Sequence, residues 1–367
     1  EPFGYMWECP DLFEMAGTRF LLCCPQGLEA QQERYQNLYQ SGYFVCDDFT
    51  LEDQKDYVCI PADFRELDYG FDFYAPQTFT DQKGRRILIG WAGMSEETDY
   101  GSEPTVREGW QHSLTVPRQL SWSDGVLHQY PVSELEQLRC RKLSLDSDFI
   151  EAPAFDLCLT FGGSDQSVRF NDDLILTCRE GLVTLTFLNG TGCGRTSRCA
   201  RLKQPDGHME NLRILKDTSL LEIYINDGEL VFTTKYFPKN TNRTAVTVTG
   251  TVLDAQFWEL RRMEVETMKT KKNTLLAIGE ALIDFIPGQT GKHIKDVSSF
   301  HPVVGGAPAN VCGAFVKLGG RARMITQLGM DPFGDKILED FRRCGIGCEA
   351  VSRTEKANTS LAFVALK

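Results

Sequence analysis

The sequence predicts a multidomain protein, mainly β over its first 262 residues and α/β from residue 274 onward. Three observations predict this. Short apolar runs with turn pairs between them fill residues 11–133. Strict period-two alternation around Gly, Asn and Asp turns continues to residue 262. After a charged, coreless stretch, "RRMEVETMKTKKNT" (261–274), the pattern changes to alternating strand and helix. A chain of 367 residues can bury two or three cores, and 42% apolar with 25% charged residues is ordinary for globular protein.

The elements follow in order. "RFLLCCPQG", "DYVCIPADF", "FDFYAPQTFTDQKGRRILIGWAG" and "SLTVPRQLSWSDGVLHQYP" carry strand composition, and the pairs "KG" and "DG" mark tight turns. "SELEQLR" (133–139) fits one or two helical turns. "FDLCLTFGG", "LILTCREGLVTLTFLNG", "LRILKDTSLLEIYINDGELVFTTKYFP" and "AVTVTGTVLDAQFWELRRM" alternate as a β-sandwich would, with Asp227-Gly228 at a hairpin. The 261–274 run serves as a linker, and Met268 inside it is either a former start codon at a fusion point or part of a solvated loop. Beyond it, "TLLAIGEALIDFIP" predicts one strand apolar on both faces, and "ARMITQLG" another. "PANVCGAFVKLGG" has Pro308 near a helix start and Gly319-Gly320 past its end. "DPFGDKILEDFRRCGIG" offers Asp331 as N-cap, Pro332 next and Gly345 at the C-terminus, so a parallel α/β sheet is expected here.

The boundaries this implies are 1–133, 134–262, a linker 263–273, and 274–367. Net charge steps with them, from −13 through −2 to +3 within a total of −12, which speaks against a nucleic-acid partner. No run of eighteen apolar residues predicts a membrane-spanning helix. Thirteen cysteines are too dilute for a disulfide scaffold and lack metal-ligand spacing, so reduced, buried thiols and no metal are expected. The chain opens on "EPFGYMWECP" without Met and ends in a strand-like "NTSLAFVALK", an expectation of ends cut from a longer polypeptide.

In "GYMWECPDLFEMAG" (4–17), Glu8 lies between Trp7 and Cys9 in an apolar run. A carboxyl kept from water by an indole stays protonated towards neutrality, as a general acid requires. A strand glutamate with a buried arginine partner would present the same residues. Together with "DYGFDFYAPQTF" (68–79), "GRRILIGWAG" (84–93), "GWQHSLTVPRQL" (109–120) and the later "LEIYINDGELVFTTKYFP", the "WECPDLF" stretch (7–13) resembles family-32 glycoside hydrolases, the β-fructofuranosidases of the sucrose-6-phosphate hydrolase type. The resemblance implies part of a five-bladed β-propeller followed by a β-sandwich. It makes Glu8 the acid/base of a retaining hydrolysis through an oxocarbenium-like transition state. Trp7, Tyr74, Gln77 and Trp91 match residues of the family's sugar pocket, Trp91 packing between blades being the alternative. Asp68 and Asp72 either bind fructose hydroxyls or cap turns, whereas Trp110 suits packing and His112 an ordinary hydrogen bond. The family's nucleophile motif, like "NDPNG", and its "RDP" motif do not occur in the sequence, so these residues alone are expected to be catalytically inactive.

"AIGEALIDFIP" (277–287), "VVGGAPANVCGAFVKLGG" (303–320) and "LGMDPFGDKILEDFRRCGI" (328–346) resemble the N-terminal part of PfkB (ribokinase-like) sugar kinases, fructokinases in particular. By that resemblance Asp284, Gly305, Gly306 and Asn310 hold sugar hydroxyls, and glycines let backbone N–H groups approach the sugar. The kinase base in a "GAGD"-type motif is absent from 321–367. ATP and Mg would serve a complete kinase domain, and the hydrolase would need no cofactor. The joint expectation is a cytoplasmic protein that splits sucrose or sucrose-6-phosphate and acts on small sugars, with no nucleic-acid or membrane partner. The alternatives are ATP-dependent fructokinase as the main activity, or a non-catalytic carbohydrate-binding chain.

Overall fold

In the computed structural model the chain divides into two compact units, Glu1–Arg262 and Met263–Lys367. The structure describes residues 3–46, 60–94, 104–146, 149–204, 207–240, 242–263, 274–289 and 291–364. The linker stretch 264–273 and the first part of "DYVCIPADF" lie outside them.

The first unit opens with an antiparallel meander of β1 (Met6–Met15), β2 (Thr18–Gln26), β3 (Gly42–Val45) and β4 (Arg65–Glu66), in that spatial order. A second sheet runs β5 (Tyr74–Thr80), β6 (Arg86–Ala92), β8 (Arg118–Ser123), β9 (Val126–Pro131), with β7 (Ser113–Leu114) paired to β6. Period-two strands turn one row of side chains inward. Phe13, Phe20 and Leu22 of the first sheet therefore share a core with Leu88, Leu120 and Leu127 of the second. "SELEQL" forms a short 3-10 helix, Ser133–Leu138.

Two further sheets complete this unit. One holds six strands in the order β10 (Arg139–Lys142), β20 (Val252–Leu260), β11 (Phe155–Phe161), β16 (Asn211–Lys216), β17 (Leu220–Ile225), β18 (Leu230–Lys235). The other holds five: β15 (Ser197–Arg201), β14 (Leu182–Phe187), β13 (Leu174–Arg179), β12 (Gln166–Phe170), β19 (Val246–Thr249). Phe155, Leu157, Ile214 and Ile223 of the six-stranded sheet meet Phe170, Leu176 and Leu185 of the five-stranded one in a single core. The four-residue turn after β17 carries Asn226, Asp227 and Gly228 at positive φ, as "NDG" predicts.

Strands β17 and β18 depart from alternation, being buried on both faces. Their second face is covered by the earlier sheets. Tyr69 and Asp72 donate backbone N–H groups to Val231 and Thr233, so residues 69–72 run alongside β18. Gly70 permits this contact, because a Cβ there would lie 2.0 Å from the Thr233 carbonyl oxygen. The charges trapped at the seam are paired. Arg118, fully buried, donates to Asp68 at 3.0 Å and to Glu222 at 2.8 Å. Arg195 grips Asp72 through two bonds of 2.6 and 2.7 Å.

In the second unit the expected single strand "TLLAIGEALIDFIP" is two strands in different sheets, β21 (Thr274–Ile278) and β22 (Leu282–Pro287). The break falls at Gly279, φ 148°, where a Cβ would come within 2.8 Å of Pro308. β21 pairs in parallel with β24 (Arg321–Gly329), which pairs in parallel with β25 (Val351–Thr354). β22 pairs antiparallel with β23 (Phe300–Gly305) and parallel with β26 (Leu361–Phe363). Helices α1 (Ala307–Lys317) and α2 (Pro332–Cys344) occupy the predicted positions. Asp331 accepts from the Gly334 N–H at 2.8 Å as N-cap of α2, and Gly345 closes it at φ 80°.

Candidate active site

Glu8 sits beside a defect in β1. Pairing with β2 runs Glu8 to Cys24 and then jumps to Asp11 with Leu22, so Cys9 and Pro10 bulge, Cys9 at φ 49°. The same defect recurs in β5. Tyr74 pairs with Trp91 and Gln77 with Ile89, leaving Ala75, also at φ 49°, and Pro76 in the bulge. A proline cannot donate to the ladder, which suits it to a bulge, and bulges re-aim the flanking side chains. Here they bring Glu8 and Tyr74 together. The Tyr74 hydroxyl donates to Glu8 Oε2 at 2.7 Å, and Gln26 Nε2 donates to the same oxygen at 2.7 Å. Burial pushes the Tyr74 hydroxyl well up, so it remains a donor throughout the physiological range. Oε1 has no hydrogen-bond partner among the described residues.

Around this trio, Cys24, Tyr39, Tyr74 and Met94 form a small core against which Cys9 and Trp91 pack. A hydrogen bond from Cys24 holds the Cys9 thiol below its ordinary value; bonding to Cys9, with burial, pushes Cys24 up. Asp11 ties the bulges together, accepting from the Thr78 N–H at 2.8 Å and its hydroxyl at 2.6 Å.

The expected sugar-pocket residues divide. Tyr74 and Trp91 are cross-strand neighbours, and the Tyr74 hydroxyl is bonded to Glu8. Trp7 is a correction: its indole stacks on Phe44 at 5.6 Å and donates to the Phe3 carbonyl, on the face of β1 opposite Glu8. Consecutive strand residues point to opposite faces, so the indole does not shield Glu8, whose side chain is exposed. Gln77 is exposed and bonds only the Pro76 carbonyl among the described contacts. Asp68 and Asp72 are a second correction, since both are fully consumed at the seam. Asp68 Oδ1 accepts from the N–H groups of Gly70 and Thr233, and Oδ2 from Arg118 and the Thr233 hydroxyl. Burial opposes ionisation of Asp72, but Arg195 and the Lys235 N–H outweigh it and hold the carboxyl below the usual range. Sequence reasoning missed Gln26 and Asp11. Gln26 faces Met6 at the end of β2, a register that only the pairing reveals.

A separate hollow of about 410 Å³ lies between β3–β4, β9 and β15, lined by Arg34, Glu66, Tyr69, Gln129, Arg201 and Lys203 among others. Burial pushes Glu66 up to about 7, although Glu66 accepts from the Tyr35 N–H at 3.0 Å. A carboxyl raised from 4.5 in the unfolded chain to about 7 costs nothing below pH 4.5. Its penalty grows up to pH 7 and stays constant above. Glu66→Gln, which keeps the acceptor, is expected to stabilise the protein by about 1–2 kcal/mol at pH 8 and by almost nothing near pH 4.5. Urea melts at the two pH values check this.

In the second unit, Asp284 on β22 lies over Gly305 at the end of β23, where any Cβ would sit 2.0 Å from Asp284 Oδ2. Gly306, φ 103°, caps α1, and Asn310 is exposed on the first turn, its N–H bonded to the Gly306 carbonyl at 2.9 Å. Glycines 305 and 306 thus open the backbone beside the carboxylate, and Asn310 stands one turn along the helix.

Comparison with known proteins finds three family models along the chain. Residues 1–131 match the model for the glycosyl hydrolases family 32 N-terminal domain, and residues 185–259 that for the family 32 C terminal. Residues 272–367 match the pfkB family carbohydrate kinase model. The sucrose-6-phosphate hydrolase of Bacillus subtilis (strain 168) is 39% identical over 252 residues, covering 65% of this chain and 50% of that protein. That of Salmonella typhimurium is 35% identical over 268 residues, covering 72% and 54%. Among solved structures, the GH32 beta-fructofuranosidase of Bombyx mori aligns with TM-score 0.58 at 28% identity, over 71% of this chain and 55% of that one. The sucrose-6-phosphate hydrolase of Lactobacillus gasseri aligns with TM-score 0.56 at 26% identity, over 71% and 55%. The chain spans about half the length of the curated relatives it matches.

Proposed function

Because its first unit belongs to glycosyl hydrolase family 32 and its second carries a pfkB-family segment, we propose that this chain is the acid/base half of a retaining β-fructofuranosidase joined to the sugar-binding half of a fructokinase-like domain. Its two N-terminal meanders are blades of a five-bladed propeller, and the six- and five-stranded sheets are a β-sandwich. The substrate is sucrose or sucrose-6-phosphate. One observation carries the reading: Glu8 Oε2 is held by two donors at 2.7 Å while Oε1 stays unpartnered among the described residues. Donors on Oε2 fix the carboxyl plane and leave Oε1 to carry the mobile proton.

Glu8 donates that proton to the glycosidic oxygen as the bond to fructose breaks, and glucose or its phosphate leaves as the alcohol. An aspartate nucleophile takes the fructosyl group. Ionised Glu8 then removes a proton from water as water releases fructose. The nucleophile's "NDPNG"-like motif is absent from these 367 residues, so the activity belongs to a family-length polypeptide. The hydrolase half requires no cofactor. In the second unit Asp284, Gly305, Gly306 and Asn310 bind fructose, and ATP with Mg would serve a complete kinase domain. A cytoplasmic location fits both activities.

The test is an assay of sucrose and sucrose-6-phosphate with the family-length polypeptide in the presence of methanol. Release of fructose together with methyl β-fructofuranoside is expected, because retention requires two inversions. Absence of fructose release from both sugars, or an α-configured methyl product, overturns the reading.

A further inference from the structure

We propose that Lys235 and His112 are positioning residues that connect the six-stranded sheet to Trp91 and so to the acid/base site. This rests on the hydrolase reading of Glu8. Lys235 ends β18, in a different sheet from Glu8, and is 4% exposed. Its backbone N–H donates to Asp72 Oδ2 at 2.8 Å, and the Arg195 bonds to Asp72 fix that point in turn. From there its Nζ reaches His112 Nδ1 at 2.5 Å.

An ammonium has donors and no acceptor. The contact therefore makes Nδ1 the acceptor and puts the ring proton of a neutral His112 on Nε2. His112 occupies the left-handed region, φ 66°, and its ring meets Trp91 edge to face, with centroids 4.6 Å apart at 70°. Gly93 leaves the space, since a Cβ there would lie 2.6 Å from His112 Nδ1 and 2.8 Å from Trp91 Cε2. Trp91 stands directly across from Tyr74, and the Tyr74 hydroxyl is bonded to Glu8. The path from Lys235 to Glu8 is thus continuous through His112, Trp91 and Tyr74.

Lys235, buried at the end of β18, holds the imidazole in one orientation beneath Trp91. The two-sheet C-terminal part of the unit is then more than a support, because it sets one wall of the sugar pocket.

The experiment compares Lys235→Met, Lys235→Arg, His112→Gln and the Met/Gln double variant in the family-length polypeptide. On sucrose, Lys235→Met and His112→Gln are each expected to lower kcat about 10- to 100-fold, as for a misplaced reacting pair, with KM changed less than about 3-fold. The double variant should lose no more than the worse single, because both break one path. Lys235→Arg, which retains a charged donor, should recover most of kcat. Trp91 emission, isolated by difference against Trp91→Phe, should shift in Lys235→Met and not in Lys235→Arg. Parent-like kcat in Lys235→Met, or additive losses with unchanged Trp91 emission, overturns the proposal. Where Lys235→Met does not fold, His112→Gln and the emission of Lys235→Arg decide it. A parent that releases no fructose overturns the hydrolase reading instead, and the emission measurements still decide whether Lys235 holds Trp91.

Discussion

Glu8→Gln in the family-length polypeptide is expected to lower kcat on sucrose by about 10²- to 10⁴-fold while KM moves only a few-fold, the usual range for loss of a general acid. The structure explains why so little else should change. Glutamine is isosteric, and its amide oxygen can accept from Tyr74 and Gln26 as Oε2 does now. The fold around the β1 bulge is kept, so thermal melts of parent and variant should coincide. What disappears is the proton available to the departing oxygen. An activated donor such as β-fructofuranosyl fluoride, assayed with azide as acceptor so that neither leaving group nor attacking group needs Glu8, should therefore lose far less than sucrose. Near-parent turnover of sucrose by Glu8→Gln would remove this residue from the mechanism. Equal losses on both donors would assign Glu8 to binding.

Arg118→Met is expected to destabilise the first unit by about 3–5 kcal/mol at pH 7, because it strands two buried carboxylates. Asp68 and Glu222 share this guanidinium at 3.0 and 2.8 Å, and all three side chains are excluded from solvent or nearly so. Burial pushes the Asp68 carboxyl up even with Arg118 present. Without that cation it climbs further, and protonation relieves part of the penalty in acid. The loss measured in urea should thus shrink between pH 7 and pH 5. Adding Asp68→Asn and Glu222→Gln to Arg118→Met should restore part of the stability, since no charge is then left unpaired. A loss under about 1 kcal/mol would place Arg118 among ordinary surface ion pairs.

Strand periodicity, the "NDG" hairpin and the caps of α2 were legible because each depends on residues within a few positions. The surroundings of Glu8 were not. Adjacency of Trp7 and Glu8 in sequence suggests contact, whereas the pleat sends them to opposite faces. Asp68 and Asp72 lie beside Tyr74 in sequence and so resembled pocket residues. Their partners Arg118, Arg195 and Thr233 come from 50 to 165 positions away, beyond any local pattern. The division of "TLLAIGEALIDFIP" turned on one crowded backbone contact, Gly279 against Pro308, which composition does not display. Gln26 reaches Glu8, and Lys235 reaches His112, across strands that no local pattern joins.

The twin kinks at Cys9-Pro10 and Ala75-Pro76 have an evolutionary corollary. The Glu8 carboxyl and the Tyr74 phenol each hang beside a matching kink in successive sheets, so the gap between them follows from how sheet stacks on sheet. Hairpin tips and outer strands can then lengthen, shorten or drift in composition without retuning the chemistry. One inserted residue inside either kink, by contrast, would swing its flanking side chain to the other face and separate the pair at once.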